Sequence, residues 1–134
     1  VKLPLKNIKK FFDEDEMNVI KEFISFLQKQ TPLKKGVNIE FTDNRPFNMT
    51  TGLRTTGHNI FVLSKDRLLA DILRTIAHEW IHEYQHQKLS LPEKGEVQNI
   101  GGHEENLANI VAGIVFKKFE KENENLKKVI YGES

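Results

Sequence analysis

Three of the chain's five histidines fall within nine residues of one another in the stretch RTIAHEWIHEYQHQ, residues 74–87. His78 and His82 are four positions apart, one turn of an α-helix. Two imidazole nitrogens can therefore converge on one zinc ion at about 2.0–2.1 Å. Glu79, about 100° round the same helix from His78, stands beside that point, where a carboxylate can take a proton from a zinc-activated water. The pattern H-E-x-x-H, here HEWIH, is thus that of a hydrolytic metal site with Glu79 as its general base. A helix that merely needs a wet side accounts for the same residues, so a third ligand decides between the two readings.

A catalytic zinc site takes three protein ligands and leaves one position open. Downstream, GGHEENLAN offers His103, Glu104 and Glu105. Glu105 is favoured because Asn109 lies one turn further on the same face. Its side-chain oxygen can accept the Nδ1 proton of a ligand histidine and leave Nε2 for the metal. Ala108 is small enough for two helices to approach closely, and the helix dipole favours a carboxylate in the first turn. His103 is the alternative, completing a three-histidine site. His86 lies about 12 Å along the axis from His78, too far to share an ion with it on a straight helix. It is read with His58 and His103 as a group for substrate or oxyanion contact, and Tyr131 is a further candidate for the oxyanion. Asp71, two turns before His78 on the same face, reads as a surface charge.

The elements that must position these residues are helices and a small sheet. Helical periodicity runs from Asp13 to Gln30 through Met17, Ile20, Phe23, Ile24 and Leu27, with acids in the first turn and Pro32 beyond the end. Between Val37 and Leu63 the signal turns to strand. VNIEF alternates, and GLRTTGHNIFVL reads as two strands around a Thr56-Gly57 turn, giving a short twisted antiparallel sheet. HNIFVL is expected at its exposed edge, where an extended peptide can add as a further strand. The histidine helix is expected from Lys65, capped by Ser64, to Leu89, with Pro92 stopping it. Leu69, Leu73, Ile76, Ala77, Trp80, Ile81 and Tyr84 form its core arc, away from the histidines. The loop PEKGEVQNIGG leads to a third helix, His103 to Phe119, with Leu107, Ile110, Val111, Ile114 and Val115 as its buried stripe. The tail KKFEKENENLKKVIYGES is expected to continue as a solvated helix or to fray. The fold class is α+β, in one domain over residues 1–134.

HEWIH, followed 23 positions beyond His82 by Glu105 opening E-x-x-A-N, resembles the gluzincin branch of zinc metallopeptidases. The likeness is to its small members in particular, the minigluzincins and phage-associated peptidases, and covers roughly residues 59–116. It implies a compact zincin-like domain: a first helix, a short twisted sheet, an active-site helix and a glutamate helix. It further implies one Zn²⁺ held by His78, His82 and Glu105, Glu79 as general base and acid, Asn109 behind a ligand histidine, and hydrolysis of peptide bonds. Asn109 stands where the family often has Asp, and AGIVFKKF replaces an apolar run ending in a Leu-Met-Pro type sequence.

Composition narrows the partners. Without cysteine, any metal must be held by His, Asp or Glu. With 20 basic and 19 acidic residues spread along 134, the net charge of +1 leaves no electrostatic footprint for nucleic acid or an anionic membrane. No segment approaches the roughly 18 apolar residues of a membrane span, and the lysines of VKLPLKNIKKFF interrupt any signal-peptide core. A soluble, cytoplasmic protein acting on a peptide or protein substrate is expected. A zinc-binding regulatory or structural module without turnover is the alternative, and a metal-free helical binding protein the third reading.

Overall fold

Asp13 opens the first long helix for local reasons. Its carboxylate accepts the Glu16 amide at 2.8 Å while Glu16 accepts the Asp13 amide at 3.0 Å, so two amides without helical partners are satisfied reciprocally. The computed structural model describes residues 2–89 and 103–133. Within them, strand β1 (Leu5–Lys6) and the single turn α1 (Ile8–Phe11) precede this helix, α2 (Glu14–Gln30). Ile20, Phe23, Ile24 and Leu27 are buried along it as expected, joined by Val19.

Strands β2 (Asn38–Thr42), β3 (Gly52–Thr55) and β4 (Asn59–Leu63) complete a four-stranded sheet in the order β1-β2-β4-β3. The expected antiparallel sheet is a mixed one: β1 runs parallel to β2 and β2 parallel to β4, and only the β3–β4 hairpin is antiparallel. The connections are the cause. The helices between β1 and β2 return the chain in its original direction, as parallel pairing requires. Residues 43–51 then carry it past the position of β4, so the hairpin folds β4 back inside. HNIFVL is therefore no edge: β4 is paired on both sides, and β3 holds the edge. The turn lies where the sequence places it, with Gly57 at φ 79° and His58 at φ 62°.

The histidine helix, α3, spans Leu69–Leu89, four residues shorter at its start than expected. Ser64 does not cap it. The Ser64 amide extends the β2 pairing to Thr42 O at 2.8 Å, and its hydroxyl donates to Val62 O at 2.9 Å. Asp66, left-handed at φ 57°, turns the chain before helix can begin. The core arc is as expected: Leu69, Leu73, Ile76, Ala77, Trp80 and Ile81 are buried and Tyr84 half-buried. The Trp80 indole N–H donates to Thr31 O at 3.0 Å.

The glutamate helix, α4 (His103–Glu122), packs inward through a face that shares Val115, and at its margin Val111, with the expected stripe. Ala108, Ala112, Val115, Phe116 and Phe119 are buried, whereas Leu107, Ile110 and Ile114 are 39%, 58% and 60% exposed. The true inner arc is rotated by roughly 120° from the expected one. This helix carries two apolar arcs, and periodicity alone cannot rank them. The inner arc is set by small residues where α4 meets α3 and by Phe116 and Phe119 meeting Phe23 edge-on at 6.1 and 4.9 Å. The tail continues as helix to Glu122 and is largely exposed, as expected, but Phe119 and Ile130 are buried. It forms a short helix, α5 (Lys127–Ile130), whose Ile130 is fully buried, and it contacts α2. Among the described residues no helix is long and apolar enough to cross a membrane. Pro92 and the loop leading to α4 lie outside the described residues.

Candidate metal centre

His78 and His82 set their rings edge-on, with centroids 4.7 Å apart at 81°. Both point Nε2 at one carboxylate brought by α4: His78 lies 2.8 Å from Glu105 Oε1, and His82 lies 3.0 Å from Glu105 Oε2. Among the described residues these three form the one group of His, Asp or Glu able to hold a metal ion, their ligand atoms all lying within 4.8 Å of one another. Neighbouring ligand atoms in a tetrahedral zinc site are about 3.3 Å apart. The two histidine–carboxylate contacts are a few tenths of an ångström short of that spacing. Ala108, buried one turn from the start of α4, lets the two helices come this close.

The donor chemistry favours a cation at the centre. His82 Nδ1 lies 3.1 Å from Gln85 Oε1, an acceptor, so the ring proton is assigned to Nδ1 and Nε2 presents a lone pair to the Glu105 carboxylate. Two acceptors at 3.0 Å repel unless a proton or a cation lies between them. Burial first and the neighbouring His78 second hold His82 below the usual imidazole pKa, against the opposing pull of Glu105 and Gln85. The protonated ring is disfavoured, which leaves a place for a cation. Sequence reasoning gave this orienting role to Asn109; the structure places Asn109 on the exposed side of α4 and Gln85 at the His82 ring. Gln85 was open to discovery as the polar residue three positions on from His82, the spacing of neighbours on a helix.

Glu79 is buried next to the cluster. Burial first and the Glu105 charge second push its carboxyl up to about 8, with Arg54 acting in the opposite sense. Edge strand β3 covers it. A Cβ on Gly52 would overlap Thr75 Cγ2 and stand 3.2 Å from Glu79 Cγ, so only glycine allows this approach. Gly52→Ala is expected to lift β3 from α3 and cost about 1–3 kcal/mol. A urea midpoint within error of wild type would refute the contact.

The remaining candidates lie around this centre rather than in it. His58 turns its Nδ1 to Glu83 Oε2 at 2.5 Å. Glu83 is completely buried and also accepts from Arg54 Nε at 2.7 Å and Gln87 Nε2 at 2.6 Å. Sequence reasoning missed Glu83 and Arg54. The signal was present in GLRT, where strand alternation turns Arg54 to the side of the sheet that faces the helices. His86 is buried on α3. Tyr131 donates to Glu120, about 22 Å along α4 from Glu105, which removes it as an oxyanion group. Asp71 makes an exposed pair with Arg74 at 3.1 Å, as a surface charge should. His103 begins α4, but its side chain and that of Glu104 lie outside the described residues. No protein-family model, curated protein or solved structure matches the chain, so the chemistry of the site rests on the geometry above.

Proposed function

We propose that this chain is a zinc metallopeptidase of gluzincin type, with a zincin-like arrangement of helices over a short sheet. One observation carries the reading: three ligand atoms from two helices converge, with a buried imidazole lone pair aimed at a carboxylate and a second carboxyl, Glu79, alongside. Two imidazoles and one carboxylate make the donor set of hydrolytic zinc sites, and the absence of cysteine argues against softer ions. When bound, zinc would supply Lewis acidity, polarising a scissile carbonyl and lowering the pKa of water.

The chain's own residues supply the rest. His78, His82 and Glu105 hold the ion, and Gln85 keeps His82 in the tautomer that can bind it. Glu79 takes a proton from the attacking water and delivers it to the leaving amine. β3, whose outer edge is unpaired among the described residues, offers backbone groups to an extended peptide, which supports peptides as the substrate class.

The test is zinc content, by elemental analysis of wild type and Glu105→Ala purified together without chelator, followed by hydrolysis assays on peptide mixtures. About one zinc per chain is expected in the wild type and less than about a tenth of that in the variant. A wild type devoid of zinc would overturn the reading. Zinc without hydrolysis would favour a regulatory or structural module.

A further inference from the structure

We propose that Arg54 is a positioning residue for Glu79, holding the edge strand and that carboxylate in fixed relation through its bond to Glu83. The inference rests on the reading of Glu79 as general base. Its foundation is a match of two repeats. Gly52 and Arg54 lie on the same face of β3, about 6.6 Å apart, and Glu79 and Glu83 lie one turn apart on α3, about 6.0 Å along the axis. Gly52 stands over Glu79 and Arg54 bonds Glu83, so strand and helix meet as two stacked rungs. Fixing the lower rung fixes the height of the upper one.

The lower rung is tied on several sides. Glu83 accepts from Arg54 Nε at 2.7 Å, from His58 Nδ1 at 2.5 Å and from Gln87 Nε2 at 2.6 Å. Gln87 in turn donates to Gly36 O at 3.1 Å and accepts the Lys35 amide at 3.0 Å, which anchors the segment leading into β2. His58 reaches Glu83 from a left-handed backbone at φ 62°, a conformation a non-glycine residue seldom adopts. The turn is thus held in place by the same carboxylate.

Packing alone does not explain these residues. The Arg54 and Glu83 side chains are both at 0% exposure, and an apolar pair of similar volume commonly serves as well or better in such a place. What an apolar pair lacks is direction: the Arg54 Nε–Glu83 Oε1 bond at 2.7 Å sets one register of β3 on α3, and with it the place of Gly52 over Glu79.

The experiment compares the wild-type chain with Arg54→Met/Glu83→Leu, which keeps volume and removes both charges. Crystal structures of the two metal-free proteins are read at Glu79, and kcat and KM are measured on the zinc-loaded proteins. The expected result is a folded double variant with wild-type zinc content, in which β3 has shifted along α3 and the Glu79 carboxylate has moved with it. Its kcat should fall by about 30-fold or more while KM changes less than about threefold. Glu79 unmoved, with kcat retained, would show that the pair is only a structural clamp and overturn the proposal. If the double variant does not fold, Arg54→Lys and Arg54→Gln decide: rescue of kcat by lysine alone supports the proposal, and equal values overturn it. A wild type without zinc or hydrolysis would refute the peptidase reading instead, and the crystallographic comparison would still decide the role of Arg54.

Discussion

Glu79→Gln is expected to keep its metal and lose its chemistry. The substitution leaves His78, His82 and Glu105 untouched and preserves the side-chain volume beneath Gly52, so zinc content should equal that of the wild type. The amide cannot accept a proton, and kcat/KM should fall by about 10²- to 10⁴-fold. A variant with full activity and full zinc would remove Glu79 from the mechanism. The same substitution has a second signature in the metal-free protein. Glu79 titrates there at about 8 instead of 4.5, so between those values the folded chain holds a proton that the unfolded chain releases. Stability therefore falls as pH rises through that window, by up to about 1.4 kcal/mol per unit. The metal-free variant should lack this slope, outlasting the wild type in urea at pH 8 and converging with it toward pH 4.5. Parallel pH profiles for the two proteins would show that another group is responsible.

Much of this site is legible in the order of residues because its central part is local. His78, Glu79 and His82 share one turn of one helix, and Glu105 follows from the need for a third ligand on the next. What escaped the sequence depends on residues far apart. β1, a two-residue strand, pairs with β2 only because α1 and α2 fold between them, and the parallel β2–β4 pairing leaves no local trace. Glu83 sits 29 positions from Arg54, so neither reveals the other until β3 lies on α3. α4 failed for a different reason. Leu107, Ile110 and Ile114 are the stronger hydrophobic stripe by composition, yet close approach to α3 selects the arc of Ala108 and Ala112. Demand for close approach of α3 and α4 outweighed demand for buried area.

Removing the metal is expected to be the largest single perturbation of stability. A ligand bound only by the folded chain, present at 100 to 1,000 times its dissociation constant, contributes about 2.7–4.1 kcal/mol. For a chain of this length that corresponds to a shift of about 8–16 °C in Tm. Chelator should therefore lower the Tm of the zinc-loaded wild type by this amount and leave that of His82→Ala unchanged, since this variant lacks a ligand from the buried side of the cluster. Restoring zinc should restore the wild-type value. Equal Tm with and without chelator in the wild type would mean that His78, His82 and Glu105 do not bind zinc in solution.

The ligand set drawn from α3 and α4 also decides what can disturb it. Two imidazoles and a carboxylate include no group that peroxide or disulfide exchange attacks, and the chain has no cysteine to offer either. A thiolate centre surrenders its ion when its ligands are oxidised. This one would hold its ion equally under oxidising and reducing conditions and release it as acidity rises. Such a centre would be indifferent to redox poise and would answer to acidity.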